Sequence, residues 1–401
     1  MFIKRLSLTN FRNFARLDLE FPRRAVLLVG SNAQGKTSLL EAVYFLATFA
    51  SFQTSADRQL INFIAAREPL AVARLVAEYE RGGRSHRLEV RLIQEPVGAL
   101  GQRSRKEILL DGVKRTASEA IGHIPAVLFL PQMARTLEGG PDERRRYLNL
   151  ALAQAIPGYA AALSEYHQAL TQRNALLKQL GERGGDPAQL TYWDEILTTS
   201  GANLILWRIQ AISELERLAA RAHHRLTRGA EVLRLAYRPA FDPLPRPANQ
   251  IALRMETPVD RSTLELAAVK SGFLAALSRT RAEEIARGVT TIGPHRDELR
   301  FLANGIDLSD YGSRGQIRTT LLALKMAETA WMQARTGEAP VVLLDEVMAE
   351  LDQARRADLL AALEESAGQT LITTTDSDSF SPAFLQTAQT WRVQAGMVAS
   401  I

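Results

Sequence analysis

The chain of 401 residues is 46% hydrophobic and 23% charged, which excludes a disordered chain and suits either two or three compact units or one elaborated α/β domain with an inserted lobe. It has no cysteine, so disulfides, thiolate metal sites and cysteine nucleophiles are excluded, in keeping with a reducing compartment. Its 49 Lys and Arg against 44 Asp and Glu leave a net charge of +5, carried mostly by arginine, a residue suited to bidentate phosphate contacts.

In chain order, residues 2–9 and 15–21 alternate polar and apolar with the period of a strand, and Ala25–Val29 is a short apolar run ending at Gly30. The first residues lack the continuous apolar core of a signal peptide, and no run of about 18 apolar residues occurs, so a cytoplasmic protein without a transmembrane helix is expected. From Lys36 to Phe49, apolar residues recur at helical spacing (Leu39, Leu40, Val43, Leu46, Ala47). Strand alternation returns over 70–79, 86–93 and 106–110, with Gly82-Gly83 and Asp111-Gly112 as hairpin turns, which predicts a small antiparallel sheet. Ala126–Leu130 reads as a further buried strand, stopped by Pro131.

Helical patterning then holds over roughly 141–156, 158–180, 188–225 and 262–287, with breaks at Gly181–Pro187 and at the proline-rich Pro239–Pro247. Strand patterns resume near 289–304, a helix is expected over Gln316–Arg335, and Val341–Leu344 is another buried strand. The expected division is 1–130 for the first part of an α/β lobe, 131–288 for an all-helical lobe and 289–401 for the return to the first. His223 and His224 lack metal-ligand partners at suitable spacing and are read as helix-surface residues.

The chemistry is concentrated at Gly30-Ser31-Asn32-Ala33-Gln34-Gly35-Lys36-Thr37, which fits G-x-x-x-x-G-K-[ST] between a strand and a helix. Glycines let backbone N–H groups turn onto phosphates, and the helix N-terminus adds partial positive charge there. Lys36 is placed to reach the β and γ phosphates of ATP or GTP, and the Thr37 hydroxyl to bind Mg²⁺, with Ser38 next in the loop. Such a site needs a carboxylate at the end of a buried strand, and Val341–Leu344 runs into Asp345-Glu346. Asp345 is the expected Mg²⁺ ligand and Glu346 the group that polarises the attacking water.

Between the two lies Tyr311-Gly312-Ser313-Arg314-Gly315-Gln316-Ile317-Arg318, a serine and glycine turn entering a helix and so a second anion site. Lys36 and the first helix already take one side of the nucleotide, so the turn is read as binding ATP held by another subunit. It resembles the signature motif of ATP-binding cassette ATPases, and Glu350-Leu351-Asp352 resembles their D-loop. That implies cofactor contacts from Ser313, Gly315, Gln316 and Asp352. The fold expected is an ATP-binding cassette-type head, with a P-loop mixed sheet and an antiparallel subdomain, plus an inserted all-helical lobe.

Longer stretches resemble the bacterial recombination mediator family RecF. They are Asn32 to Tyr44, Ser51-Phe52-Gln53-Thr54, Glu143 to Leu148, Gln172 to Lys178, Gly293-Pro294-His295-Arg296-Asp297 and Gly312 to Arg318, in the family's order along essentially the whole chain. The resemblance implies an ATP-induced homodimer that binds duplex DNA beside single-stranded gaps, hydrolyses ATP weakly, and helps RecO and RecR load RecA. It also marks departures. Gln53 and Ala56 stand where the family often has arginines. Gln132 replaces an acidic residue, and it either acts as the Q-loop glutamine of cassette ATPases, touching Mg²⁺ or water, or faces solvent. Thr375 and Asp376 stand where transporter ATPases place a histidine, and a turn or cap is the expectation there.

Arg81, Arg84 and Arg87, Arg103, Arg105 and Lys106, and Arg144 to Arg146 are the candidate DNA-facing cations, with lobe-interface pairing the other reading for Arg145 and Arg146. His295 and Arg296 either stabilise the signature region or face the partner. The alternative function is the ATPase subunit of a membrane transporter, which predicts a shorter helical lobe. A tether built on long coiled coils needs far more heptads, and a nuclease needs a further acidic metal cluster.

Overall fold

The computed structural model describes residues 1–97, 101–244, 261, 263–365, 368–378 and 380–401. The expected loop Pro239–Pro247 lies outside the described residues from position 245 onward. The chain divides into two compact units, Met1–Met133 with Lys325–Ile401, and Ala134–Leu324.

In chain order the strands are β1 (Phe2–Phe11), β2 (Phe14–Glu20), β3 (Val26–Val29), β4 (Ala71–Arg81), β5 (Arg84–Val97), β6 (Gly101–Leu110), β7 (Val113–Arg115), β8 (Ala126–Phe129), β9 (Leu233–Arg238), β10 (Glu298–Ala303), β11 (Ile306–Asp307), β12 (Val341–Asp345), β13 (Thr370–Thr374), β14 (Gln389–Gln394) and β15 (Met397–Ser400). The first unit holds two six-stranded sheets. One is antiparallel, in the order β2-β1-β4-β5-β6-β7; the other runs β15-β14-β3-β13-β12-β8, parallel from β14 to β8 with β15 as an antiparallel edge. The hairpins form as their turn residues dictate, because Gly82 (φ 55) and Gly83 (φ 73), and Asp111 (φ 50) and Gly112 (φ 80), take the paired left-handed conformations of a tight two-residue turn.

The helix Lys36–Thr48 has eleven of its thirteen residues buried, more than one apolar stripe would require. A helix apolar on nearly all sides belongs inside a core. Its Leu39, Leu40, Val43 and Phe45 join one buried cluster with Leu6, Leu8, Leu75 and Val90 of the antiparallel sheet and Leu28, Leu343 and Leu371 of the parallel one. The phosphate loop is therefore mounted on a strand and a helix that are both immobilised by packing.

The second unit is built on the helices Pro141–Ala155, Tyr159–Arg183, Leu190–Leu226 and Leu266–Arg287. It differs from an all-helical lobe ending at 288, because it also carries the antiparallel sheet β11-β10-β9 and runs on to Leu324. Among its described residues are two buried ion clusters. Arg173 pairs with Asp194 (2.7 Å) and Glu284 (2.7 Å), all three fully buried. Arg208 pairs with Asp297 (2.8 Å) and donates to the Tyr159 hydroxyl (3.1 Å) and to Asn149 Oδ1 (2.9 Å). Buried charges of this kind persist only with such partners.

Several surface expectations are corrected here. Arg144 is buried and forms a bidentate pair with Glu298 (2.8 and 2.9 Å), and Arg145 donates to the Asp297 carbonyl (2.7 Å) and to Asp142. Arg144 is thus no DNA-facing cation and Arg145 follows the pairing reading, while Arg146 is exposed. His223 is fully buried, against the surface reading of both histidines, and only His224 is exposed. His295 is half-buried, bonded to the Tyr166 hydroxyl (2.6 Å) and near the Thr290 carbonyl (3.2 Å), and burial pushes its ring down to about 4.

Candidate nucleotide site

Gly30 to Thr37 follow β3 and enter the helix Lys36–Thr48. Ala33 (φ 64) and Gly35 (φ 113) are left-handed, the curl of an anion-binding nest. Gly30 packs so closely on β14 that a Cβ there would collide with the Val393 carbonyl oxygen. The loop is gripped from outside as well. Gln34 accepts the Ala395 amide on Oε1 (2.7 Å) and the Gly396 amide on its carbonyl (3.1 Å), and that carbonyl also takes a bond from Asn13 Nδ2 (3.2 Å). Two turns far apart in sequence thus fix one loop.

Lys36 is 3% exposed, and its ammonium donates to the carbonyls of Gly30 (2.5 Å) and Ser31 (3.0 Å) and lies 3.3 Å from Glu346 Oε1. Thr37 Oγ1 donates to both oxygens of Asp345 (2.9 and 3.0 Å). Thr373, on the neighbouring β13, donates to Asp345 Oδ1 (2.8 Å) and accepts the Glu346 backbone amide (2.9 Å), so one hydroxyl fixes the Asp345 carboxylate and the backbone that carries Glu346. Burial pushes the Asp345 carboxyl above the usual carboxylate range, with the bonds from Thr373 and Thr37 opposing the shift. Glu346 is left-handed (φ 54, ψ 19) at the sharp exit from β12.

A hydroxyl and a buried carboxylate that already touch, with a lysine beside them, form the donor set for a phosphate-bound Mg²⁺. Among the described residues no group of three or more His, Cys, Asp or Glu could hold a metal unaided. Such an ion would neutralise charge on the β and γ phosphate oxygens.

The turn Pro131–Ala134 carries exposed Gln132 and follows β8, which pairs with β12, so Gln132 leaves the sheet at the same edge as Asp345. Asp352 caps the helix Gln353–Glu365, accepting the Arg355 amide (2.9 Å) and its guanidinium (2.5 Å), and the amide bond leads in holding its carboxyl low. Thr375 and Asp376 are exposed, with Asp376 Oδ1 closing a turn onto the Asp378 amide (3.0 Å). In the second unit Ser313 and Gln316 cap the helix Arg314–Thr336 reciprocally, Ser313 N to Gln316 Oε1 (3.0 Å) and Gln316 N to Ser313 Oγ (3.2 Å), with exposed Gly315 between them. The cap and the anion-site readings of this turn are compatible, since the cap leaves the serine at the surface.

Of the hairpin cations, Arg81 donates to the Gly122 carbonyl (2.6 Å) and Lys106 to the Phe49 carbonyl (2.6 Å). Arg87 joins Arg74 and Arg91 around Glu89, whose carboxyl these guanidiniums, Arg74 foremost, hold at about 2. Arg105 is paired with Glu107 and Glu95; Arg84 and Arg103 are exposed.

Residue spacing did not single out Thr373, Asn13 or the Arg12–Glu41 pair. Glu41 is fully buried in the first helix and takes a bidentate bond from Arg12 (2.7 and 2.8 Å) and one from Ser51. The Thr373-Thr374-Thr375 run at the end of a buried strand was the available signal for the first of these.

A P-loop on a parallel sheet, a carboxylate pair at the end of β12, one strand beyond the neighbour of β3, and a capped serine-glycine turn define a P-loop ATPase fold of the ATP-binding cassette and SMC-head class. Residues 2–398 match the family model for the RecF/RecN/SMC N terminal domain. The chain belongs to the RecF family of DNA replication and repair proteins. It is 40% identical to the DNA replication and repair protein RecF of Chloroflexus aurantiacus, with 99% of each chain covered, and 34% identical to that of Geobacillus thermodenitrificans, with 100% of each covered. A solved structure of the recombination mediator protein RecF with ATPrS in the RecFOR pathway superposes with a TM-score of 0.82 at 28% identity, covering 100% of this chain and 98% of that one. An Smc head bound to the C-winged helix domain of ScpA, at 16% identity and a TM-score of 0.52, shares the fold alone.

Proposed function

We propose that this chain is an ATP-dependent DNA-binding protein of recombinational gap repair and replication-fork maintenance. The observation that carries the reading is the Thr37–Asp345–Thr373 cluster beside Lys36, a ready phosphate and Mg²⁺ site in a chain whose full-length relatives are RecF proteins. ATP occupies Gly30 to Ser38, and Ser313, Gly315, Gln316 and Asp352 of a second copy close over it. Lys36, now paired with Glu346, turns to the phosphates and releases that carboxylate to polarise water, with Gln132 at the same edge. Hydrolysis is weak and ends the dimer rather than driving chemistry on another substrate.

The dimer engages duplex next to single-stranded gaps and, with RecO and RecR, promotes RecA loading in the cytoplasm during the response to DNA damage. Solved relatives are named as ATP complexes of the RecFOR pathway, which supports this assignment. Among the described residues no helix is long and apolar enough to cross a membrane, and the full-length kinship with repair proteins disfavours the transporter alternative. The test is binding to gapped, duplex and single-stranded DNA with and without ATP across a salt series. ATP-stimulated binding with a steep salt slope and a preference for gapped DNA is expected. Binding indifferent to ATP would overturn the reading.

A further inference from the structure

The signature turn is supported by residues that no motif contains. In the reciprocal cap, Gln316 spends its Oε1 on the Ser313 amide, and its remaining side-chain group, Nε2, donates to Glu231 Oε1 at 2.8 Å. The second oxygen of Glu231 lies 3.5 Å from Nε2 of buried His223, which is 3.3 Å from Thr320 Oγ1, one turn further along the helix that Ser313 caps. A chain of polar contacts therefore leaves the exposed tip at Ser313, passes through Gln316, Glu231 and His223, and returns to the same helix. Glu231 side-chain exposure is 20%, so its bond to Gln316 is partly shielded from water.

A serine-glutamine cap needs only its own two residues. The third partner decides which way the Gln316 amide faces, because a flip would set Nε2 against the Ser313 N–H and Oε1 against the carboxylate. With the amide so fixed, Ser313 Oγ accepts from the Gln316 N–H and keeps its own proton for an outside acceptor. Gly315 points the same way. Its φ is not left-handed, and an added Cβ would meet nothing nearer than Ser313 Oγ at 3.9 Å, so neither backbone nor packing within the chain requires glycine there. A missing side chain on an exposed helix tip leaves room for another body to approach.

We infer that Glu231 is a positioning residue of the signature turn. It orients Gln316 so that the Ser313 hydroxyl is presented to a phosphate oxygen of the nucleotide carried by a second copy of this chain. This rests on the dimer reading above, and the experiment separates the two. E231A and E231Q are compared with wild type by sedimentation with ATP and Mg²⁺, by ATP binding to the monomer, and by amide exchange over residues 312–318 without nucleotide. E231A is expected to bind ATP normally yet to need about a hundredfold more protein to dimerise, the effect of one lost charge-assisted hydrogen bond in each of the two copies. E231Q, which keeps an acceptor for Gln316 Nε2, recovers most of that loss. The Ser313 and Gln316 amides exchange about tenfold faster in E231A than in wild type, by the same reasoning.

Unchanged exchange in E231A, or an E231Q as defective as E231A, overturns the role of Glu231. A wild type that never dimerises with ATP overturns the dimer reading, while the exchange rates still judge Glu231.

Discussion

Thr37 and Asp345, 308 positions apart in the chain, meet at 2.9 Å where the first helix faces the end of β12. Their bond holds a carboxyl that burial has pushed upward, so the fold disfavours its ionised form unless a cation stands beside it. The raised value means the native state holds that proton more tightly than the unfolded chain does. The Asp345 contribution to stability is thus present below the unfolded carboxylate range and is lost as pH rises through the folded value.

Asp345→Asn removes that buried ionisable group and is expected to raise the melting temperature of the nucleotide-free protein at pH above the folded value of Asp345. The same variant should lose the further stabilisation that wild type gains from ATP with Mg²⁺. Calorimetry with and without the ligand checks both. A variant that still responds fully to Mg²⁺-ATP would remove Asp345 from the site.

Glu346 pairs with Lys36 at 3.3 Å and is left-handed, so its position is set by the β12 exit as well as by charge. Glu346→Gln keeps the size and the hydrogen-bonding oxygen but not the basicity. Hydrolysis should slow by about a hundredfold or more, the scale of a lost general base, while ATP binding persists. Sedimentation with ATP should then show a long-lived dimer, and a monomer under those conditions counts against a composite site.

What the sequence made legible followed from local rules. The P-loop, the glycine turns and the buried strand ending in Asp345-Glu346 each declare themselves within a few residues. Arg144 did not, because the difference between a solvated arginine and a buried one is its partner, and Glu298 lies 154 positions away. His223 was misread because the 37-residue helix Leu190–Leu226 packs on more than one face, which a single apolar stripe does not reveal. β9 was passed over between a long helix and a proline-rich segment, although Leu233, Leu235 and Tyr237 alternate with polar or small residues. Thr373 showed the limit most sharply, since its hydroxyl acts on residues of the next strand rather than on its own neighbours.

The grip on the phosphate loop makes a further expectation. Gln34→Ala deletes the acceptor for the Ala395 amide and loosens the loop without touching Lys36 or Thr37. ATP affinity should fall by about three- to tenfold, as befits one neutral hydrogen bond, with an unchanged melting temperature of the nucleotide-free protein. Gly35→Ala should be worse, because φ 113 is strained for alanine and its Cβ would strike Asn13. Titration calorimetry with ATP separates the two variants.

Arg12 and Glu41 supply the stability counterpart. Glu41 is fully buried in the phosphate-loop helix and depends on the bidentate bond from Arg12, which also donates to the Gln59 carbonyl at 3.0 Å. Arg12→Ala leaves a buried carboxylate with, among the described residues, the Ser51 hydroxyl to hold it and should cost about 3–5 kcal/mol, seen as a lower urea midpoint. Replacing both, as Arg12→Met with Glu41→Leu, should recover a large part of that loss, since neither charge is then stranded. If the single variant were as stable as wild type, the pair would be a surface contact in solution and the first helix would be held by its apolar packing alone.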